Sequence, residues 1–225
     1  MIKAIITDIE GTTTDINFVH KVLFPYSRQK MAAFLNHEQN KPHVITELGH
    51  VRHEMGKMDA SLDEVIDQLI AWIDKDEKIA PLKNIQGFIW LQGFEKGEFK
   101  GHLYQDAYDN LCRWHNAGIK LYVYSSGSVK AQQLLFKHSD FGDIRYLFSG
   151  FFDTSVGAKK EPSSYHNILE EIQFLPNETL FLSDVVDELN AASVNGIQTR
   201  LLNRDNQVFA AHSHPVCLSF NDIKI

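Results

Sequence analysis

Residues 1–16 read MIKAIITDIEGTTTDI, and the rest of the chain is best understood from this stretch. Ala4, Ile5 and Ile6 form an apolar run with no polar interruption, the pattern of a strand buried on both faces of a parallel sheet. The run ends at Asp8, and Ile9, Glu10, Gly11, Thr12, Thr13 and Thr14 follow with the composition of a turn. Asp8 and Glu10 therefore stand just past the carboxyl end of a buried strand, the edge at which open α/β sheets bind ligands. Two carboxylates this close repel unless a cation or a proton lies between them, and hard oxygen donors suit magnesium. For an arbitrary D-x-E pair, a solvated acidic turn is the better reading. Gly11 and the threonines shift that balance, because glycine opens unusual backbone angles and free N–H groups with hydroxyls can cradle a phosphate.

Beyond Ile16 the pattern changes to helical periodicity. Val19, Val22, Leu23 and Tyr26 begin a helix that Met31, Phe34 and Leu35 extend, with a break or kink at Pro25. Further helices are expected over Val44–Met55, over Leu62–Trp72 and after Pro81 through Ile85, Phe88, Ile89 and Leu91. Ser61 with Glu64 three residues on is a capping-box signature. Gly93, Gly97 and Gly101 punctuate the return, so residues 17–100 read as an all-helical insertion. From Tyr104 an α/β rhythm sets in. Helices are expected through Ala107–Trp114, Ser128–Lys137, Pro162–Ile172 and Val186–Val194. Strands are expected at Ile119–Tyr124, Tyr146–Gly150, Thr179–Leu182, Ile197–Leu202 and Val216–Phe220. Alternation of this kind implies parallel pairing with right-handed crossovers.

Four strand ends carry unusual polar residues in a fixed order. Asp8 and Glu10 come first. Ser125 and Ser126 come second, at a strand-to-helix turn where N–H groups and the helix dipole favour an anion; as plain turn residues and an N-cap they carry about equal weight. Lys159, beside Lys160, lies in VGAKKEPSSY ahead of a helix, where a lone lysine is ordinarily just solvated. Asp184 follows the buried run Leu180–Leu182 and Ser183, and of the acids close behind it Asp187 or Glu188 serves the next helix dipole.

This order resembles the haloacid dehalogenase-like phosphohydrolase superfamily over residues 1–16 and 101–225. The string DIEGTTTDI with glutamate at position 10, YSSGSVKAQQLLF (124–136), the G-x-K-x-E-x-x-S-Y pattern (157–165) and FLSDV…EL (181–189) resemble more closely the acireductone synthase family, the bifunctional enolase-phosphatases of methionine salvage. The resemblance implies a Rossmann-like parallel α/β core built from 1–16 and 101–225, with residues 17–100 as an inserted helical cap. It implies Asp8 as the nucleophile forming an aspartyl-phosphate and Glu10 as the acid/base. Ser125, Ser126 and Lys159 would bind and neutralise the phosphoryl group, with Lys160 a solvent-facing neighbour. Asp8, Glu10 and Asp184 would hold one magnesium ion per chain. The implied substrate is 5-methylthio-2,3-diketopentyl 1-phosphate, a small phosphorylated diketone that is enolised and then dephosphorylated.

Composition narrows the alternatives. The 225 residues are 44% hydrophobic with six prolines, enough for a sizeable core. The formal charge is −7 and the basic residues are scattered, so no footprint for nucleic acid or an acidic membrane is visible. Cys112 and Cys217 are too few for a disulfide scaffold or zinc cluster. No apolar run suits a leader or a membrane span, so a soluble, cytoplasmic protein is expected; separately, a monomer is expected. His50 with His53, and His212 with His214, read as surface histidines. Phe24, Trp72, Phe88, Trp90 and Phe94 read as core of the insertion. Two rivals remain: a phosphatase of the same superfamily acting on another small ester, and a phosphoacceptor signalling module. The latter places its aspartate on a middle strand and needs little more than half this length.

Overall fold

A computed structural model describes residues 1–225. Strand β1 (Ala4–Thr7) is buried at all four positions, as an uninterrupted aliphatic strand must be when both faces are covered. A single helical turn, α1 (Ile16–Phe18), runs into a π-helical turn over Val19–Leu23 and then α2 (Phe24–Glu38). The irregularity expected near Pro25 is this change from π-helical to α-helical backbone at Phe24: Pro25, which has no N–H to donate, stands in the first turn of α2. Trp90 Nε1 donates to the Leu23 carbonyl at 2.8 Å.

The helices α3 (Pro42–Glu54), α4 (Leu62–Asp74) and α5 (Ala80–Glu95) complete a compact unit of residues 17–100. Its core is Met31, Leu35, Val44, Val51, Val65, Leu69 and Ile85, all fully buried. Ser61 closes a reciprocal capping box with Glu64 at the start of α4.

Residues 1–16 and 101–225 form a second compact unit. Its further elements are α6 (Gln105–Asn116), β2 (Lys120–Tyr124), α7 (Val129–Lys137), β3 (Phe148–Phe152), α8 (Pro162–Ile172), β4 (Thr179–Ser183), α9 (Val186–Val194), β5 (Gln198–Leu202) and β6 (Val216–Cys217). The sheet order is β3-β2-β1-β4-β5-β6, and all pairings are parallel. β1 lies between β2 and β4, with Thr7 opposite Val123 and Leu182. Chain order reverses about β1, which makes its carboxyl end the switch point of the sheet.

Two strands depart from the sequence reading. β3 begins two residues later than expected, because Asp143 caps and pairs with Arg145 and starts a 3₁₀ turn over Arg145–Leu147. β6 spans only Val216–Cys217. The Ser219–Asp222 capping box then turns the chain, and Phe220 is buried in a stack with Trp114. His214 is also not a surface residue. It is buried between Thr199 and Asn190, with its ring nitrogens 2.7 and 2.9 Å from their side-chain oxygens.

Candidate active site

The turn after β1 is folded on one carbonyl. Ile9 C=O accepts the N–H groups of Thr12, Thr13 and Thr14 at 3.2, 2.9 and 2.9 Å, and the Gly11 N–H donates to Thr14 C=O at 2.8 Å. Gly11 adopts φ +72°, a left-handed conformation that costs other residues strain. Asp8 is thereby held at the strand end with its N–H on Leu182 C=O at 2.9 Å.

Asp8 is only 3% exposed, and its Oδ1 lies 2.6 Å from Lys159 Nζ. The same ammonium lies 2.7 Å from Glu188 Oε2, which also accepts the Ser183 hydroxyl at 2.8 Å. Lys159 reaches this position because its loop is pinned at three successive carbonyls. Tyr124, Ser164 and Tyr165 hydroxyls donate to the carbonyls of Gly157, Ala158 and Lys159 at 2.9, 2.7 and 2.7 Å. Gly157, at φ +134°, leaves the space Ser164 occupies: a Cβ there would lie 2.1 Å from Ser164 Oγ. Lys160 by contrast is exposed and pairs with Asp187.

The charges respond to this crowding. Burial, opposed by Lys159 and reinforced by Glu10, pushes the Asp8 carboxyl up to about 6. Burial and the neighbouring Asp8 charge push Asp184 up to about 7, and the same two causes raise Glu188. Burial works against the Lys159 ammonium, but the carboxylates of Asp8 and Glu188 outweigh it and raise its pKa. Lys159 is thus a fixed cation in a site with surplus negative charge.

Ser125 is fully buried, donates to Glu10 Oε2 at 3.1 Å and accepts the Gly127 N–H at 3.1 Å. Ser126 is exposed. The N-cap of α7 is Ser128, whose hydroxyl accepts the Ala131 N–H. Asp187 and Glu188 both lie in the first turn of α9, and the Glu188 carboxylate is turned to Lys159.

Asp8, Glu10 and Asp184 do not close into a cluster of three carboxylates, and no three His, Cys, Asp or Glu side chains do. The donor set still fits a hard dication. Asp184 lies against the turn that carries Asp8, burial raises both carboxyls, with Glu10 adding to the rise of Asp8 and Asp8 to that of Asp184, and magnesium takes one or two carboxylates while keeping water and phosphate oxygens. The Glu10 carboxylate accepts the Ser125 hydroxyl, and its charge reaches Asp8.

A parallel sheet with acids at its switch point and a buried lysine facing them defines a haloacid dehalogenase-like hydrolase, and the family model of that description matches residues 2–196. The enolase-phosphatase E1 of Sulfurihydrogenibium sp. is 53% identical over 196 residues, covering 87% of this chain and 85% of that one. The enolase-phosphatase E1 of Citrobacter koseri is 51% identical over 223 residues, covering 99% and 97%. The crystal structure of the UTR4 protein of Saccharomyces cerevisiae superposes with a TM-score of 0.85 at 32% identity, covering 99% of this chain and all of that one. The chain belongs to the enolase-phosphatase E1 family of haloacid dehalogenase-like hydrolases.

Proposed function

We propose that this enzyme converts 5-methylthio-2,3-diketopentyl 1-phosphate to its enol phosphate and then to acireductone and inorganic phosphate. The observation that carries the reading is the Asp8–Lys159 ion pair beside Asp184 at the sheet's switch point. Full-length relatives that bear the enolase-phosphatase name support it.

In this reading a carboxylate oxygen of Asp8 attacks phosphorus, the ester oxygen leaves, and an aspartyl-phosphate forms. Glu10, oriented by Ser125, protonates the departing oxygen and then takes a proton from the water that hydrolyses the acyl-phosphate. Lys159 stays in place throughout and offsets the phosphoryl charge, an electrostatic contribution that needs no reorganisation. Ser125 and Ser126 line the phosphoryl position. Phosphatases of this family depend on magnesium. Asp8, Glu10 and Asp184 would hold one such ion per chain, which supplies charge neutralisation and in-line alignment. Residues 17–100 are assigned the part of the cap that sets substrate choice. No helix is long and apolar enough to cross a membrane, and the reading places the enzyme in the cytoplasm as a monomer.

The test is a magnesium-dependent assay on the diketo phosphate that follows ultraviolet absorbance for the enol and release of phosphate. Asp8→Asn should abolish phosphate release while the enol phosphate accumulates. Wild-type turnover of other phosphate esters with none of the diketo phosphate would assign the site to a different substrate.

A further inference from the structure

Arg204 stands two residues beyond β5, and its guanidinium is engaged on every edge. Nε donates to the Thr12 carbonyl at 2.7 Å. Nη1 and Nη2 donate to Oδ1 and Oδ2 of Asp106, each at 3.1 Å. The guanidinium carbon lies 3.9 Å from the ring centre of Tyr104. The side chain keeps only 9% of its exposure. Its partners are fixed in turn: Asp106 Oδ2 accepts the Phe220 N–H at 2.7 Å, and the Tyr104 N–H donates to Thr13 C=O at 3.0 Å.

The construction of the catalytic turn explains what this grip does. Inside the turn, N–H groups are satisfied by the carbonyls of Ile9 and Thr14. The carbonyls of Thr12 and Thr13 are left pointing outward on residues that are fully buried. A buried carbonyl without a donor carries its whole desolvation penalty. Arg204 supplies the donor for Thr12, and the Tyr104 main chain supplies it for Thr13. Arg204, Tyr104, Gly11 and Asp184 also line one cleft, so the grip is applied on the face of the turn that meets the acid of β4.

We propose that Arg204 is a positioning residue of this active site: it fixes the turn carrying Asp8 and Glu10 by holding Thr12 against Asp106. The job requires arginine. One planar fork makes a bidentate pair, a third donor in the same plane reaches Thr12, and the flat face stacks on tyrosine. A lysine ammonium can serve Thr12 or Asp106 but not both in that geometry. A staple that merely tied the C-terminal segment to α6 would leave the turn and the reaction untouched when loosened.

The experiment uses the full chain with magnesium and compares wild type with Arg204→Lys and, as a milder lesion, Asp106→Asn. Amide hydrogen exchange is read at residues 12–14 and at β4. Arg204→Lys should accelerate exchange of the turn amides by ~10-fold or more while β4 changes by less than about 2-fold, the signature of local rather than global opening. Asp106→Asn should do the same to a smaller extent. Unchanged turn amides, or equal acceleration of turn and β4, overturns the proposal.

Turnover is the second arm, and it rests on the phosphatase reading above. On the diketo phosphate and on p-nitrophenyl phosphate, Arg204→Lys should lower kcat by about 10- to 100-fold with KM within about 3-fold, the pattern of a misplaced reacting group. A loosened turn with unchanged kcat overturns a positioning role. A wild-type chain that hydrolyses neither ester refutes the phosphatase reading instead, and exchange alone then decides on Arg204.

Discussion

Gly11 and Asp184 are in such close approach that no side chain fits between them: a Cβ at Gly11 would lie 2.2 Å from Asp184 Oδ2 and 2.6 Å from its Cγ. The turn after the first strand and the acid after the fourth thus meet as main chain against carboxylate. The Asp8 charge accordingly raises the Asp184 carboxyl although 176 positions of sequence, 184 minus 8, separate them.

Gly11→Ala adds a clash with Asp184 to the cost of an alanine at φ +72°. Strain at such a position is ~1–3 kcal/mol, enough to lower the melting temperature by about 2–10 °C while the sheet survives. Displacing Asp184 should cost ~100-fold or more in phosphate release, since small misplacements of reacting groups have effects of that order. Circular dichroism and a phosphate assay read the two effects. Near-normal activity would mean the Asp184 carboxylate is free to swing aside.

Asp184 makes the metal-free protein sensitive to pH in a definite direction. Its carboxyl titrates near about 7 when folded, against 3.8 for the ordinary group. Between those values the folded chain holds a proton that the unfolded chain has released, so Asp184 contributes stability at low pH and loses it as pH rises through about 7. Asp184→Asn removes this dependence. In chelator, the melting temperature of the variant relative to wild type should climb between pH 5 and pH 8, by an amount equivalent to ~1–3 kcal/mol. Magnesium at pH 8 should raise the wild type and not the variant. A difference that is flat with pH would show that the Asp184 carboxylate is already well solvated.

Ser61 tests the helical unit apart from the chemistry. Its hydroxyl accepts the Glu64 N–H at 3.3 Å, and Glu64 Oε2 accepts the Ser61 N–H at 2.9 Å. Ser61→Ala should destabilise α4 by about 1 kcal/mol and leave kcat as it was, read by thermal melting and turnover together. A drop in kcat without a drop in stability would tie α4 to the reaction instead.

The parts of this molecule that were legible in sequence are those whose signal is local. β1 and β4 show as buried runs because both faces are covered, and the Ser61 capping box shows because its partners are three residues apart. Asp8, Ser125, Lys159 and Asp184 could be picked out because each follows a strand or precedes a helix at a recognisable spacing. β6 escaped because only two residues pair, and the five-residue run that suggested a longer strand contains the start of a capped turn. His214 escaped because its partners Thr199 and Asn190 are 15 and 24 positions away. Arg204 gave no sign for the same reason, since Thr12 and Asp106 lie 192 and 98 positions from it. The contact of Glu188 with Lys159 left no trace in the sequence because an acid in the first turn of a helix ordinarily answers the helix dipole. Only the tertiary placement of the Lys159 ammonium, 2.7 Å away, recruits it elsewhere.

That contact leads to the most discriminating substitution. In the wild type one buried ammonium is shared by two carboxylates, so Glu188 draws Lys159 away from Asp8. Glu188→Gln keeps an acceptor for the Ser183 hydroxyl but removes the competing charge, leaving Lys159 paired with the nucleophile alone. Because burial and the Asp8 charge already raise the Glu188 carboxyl, its ionised form costs stability at pH 8, and the neutral amide removes that cost. The metal-free variant should therefore melt no lower than wild type at pH 8. Turnover should nevertheless fall by about 10- to 100-fold, because a nucleophile held in an undivided ion pair must break more attraction to reach phosphorus. Melting in chelator and kcat measured on the same preparation check both halves. A destabilised but fully active variant would mean that Glu188 supports the fold and has no part in dividing Lys159 between the two acids.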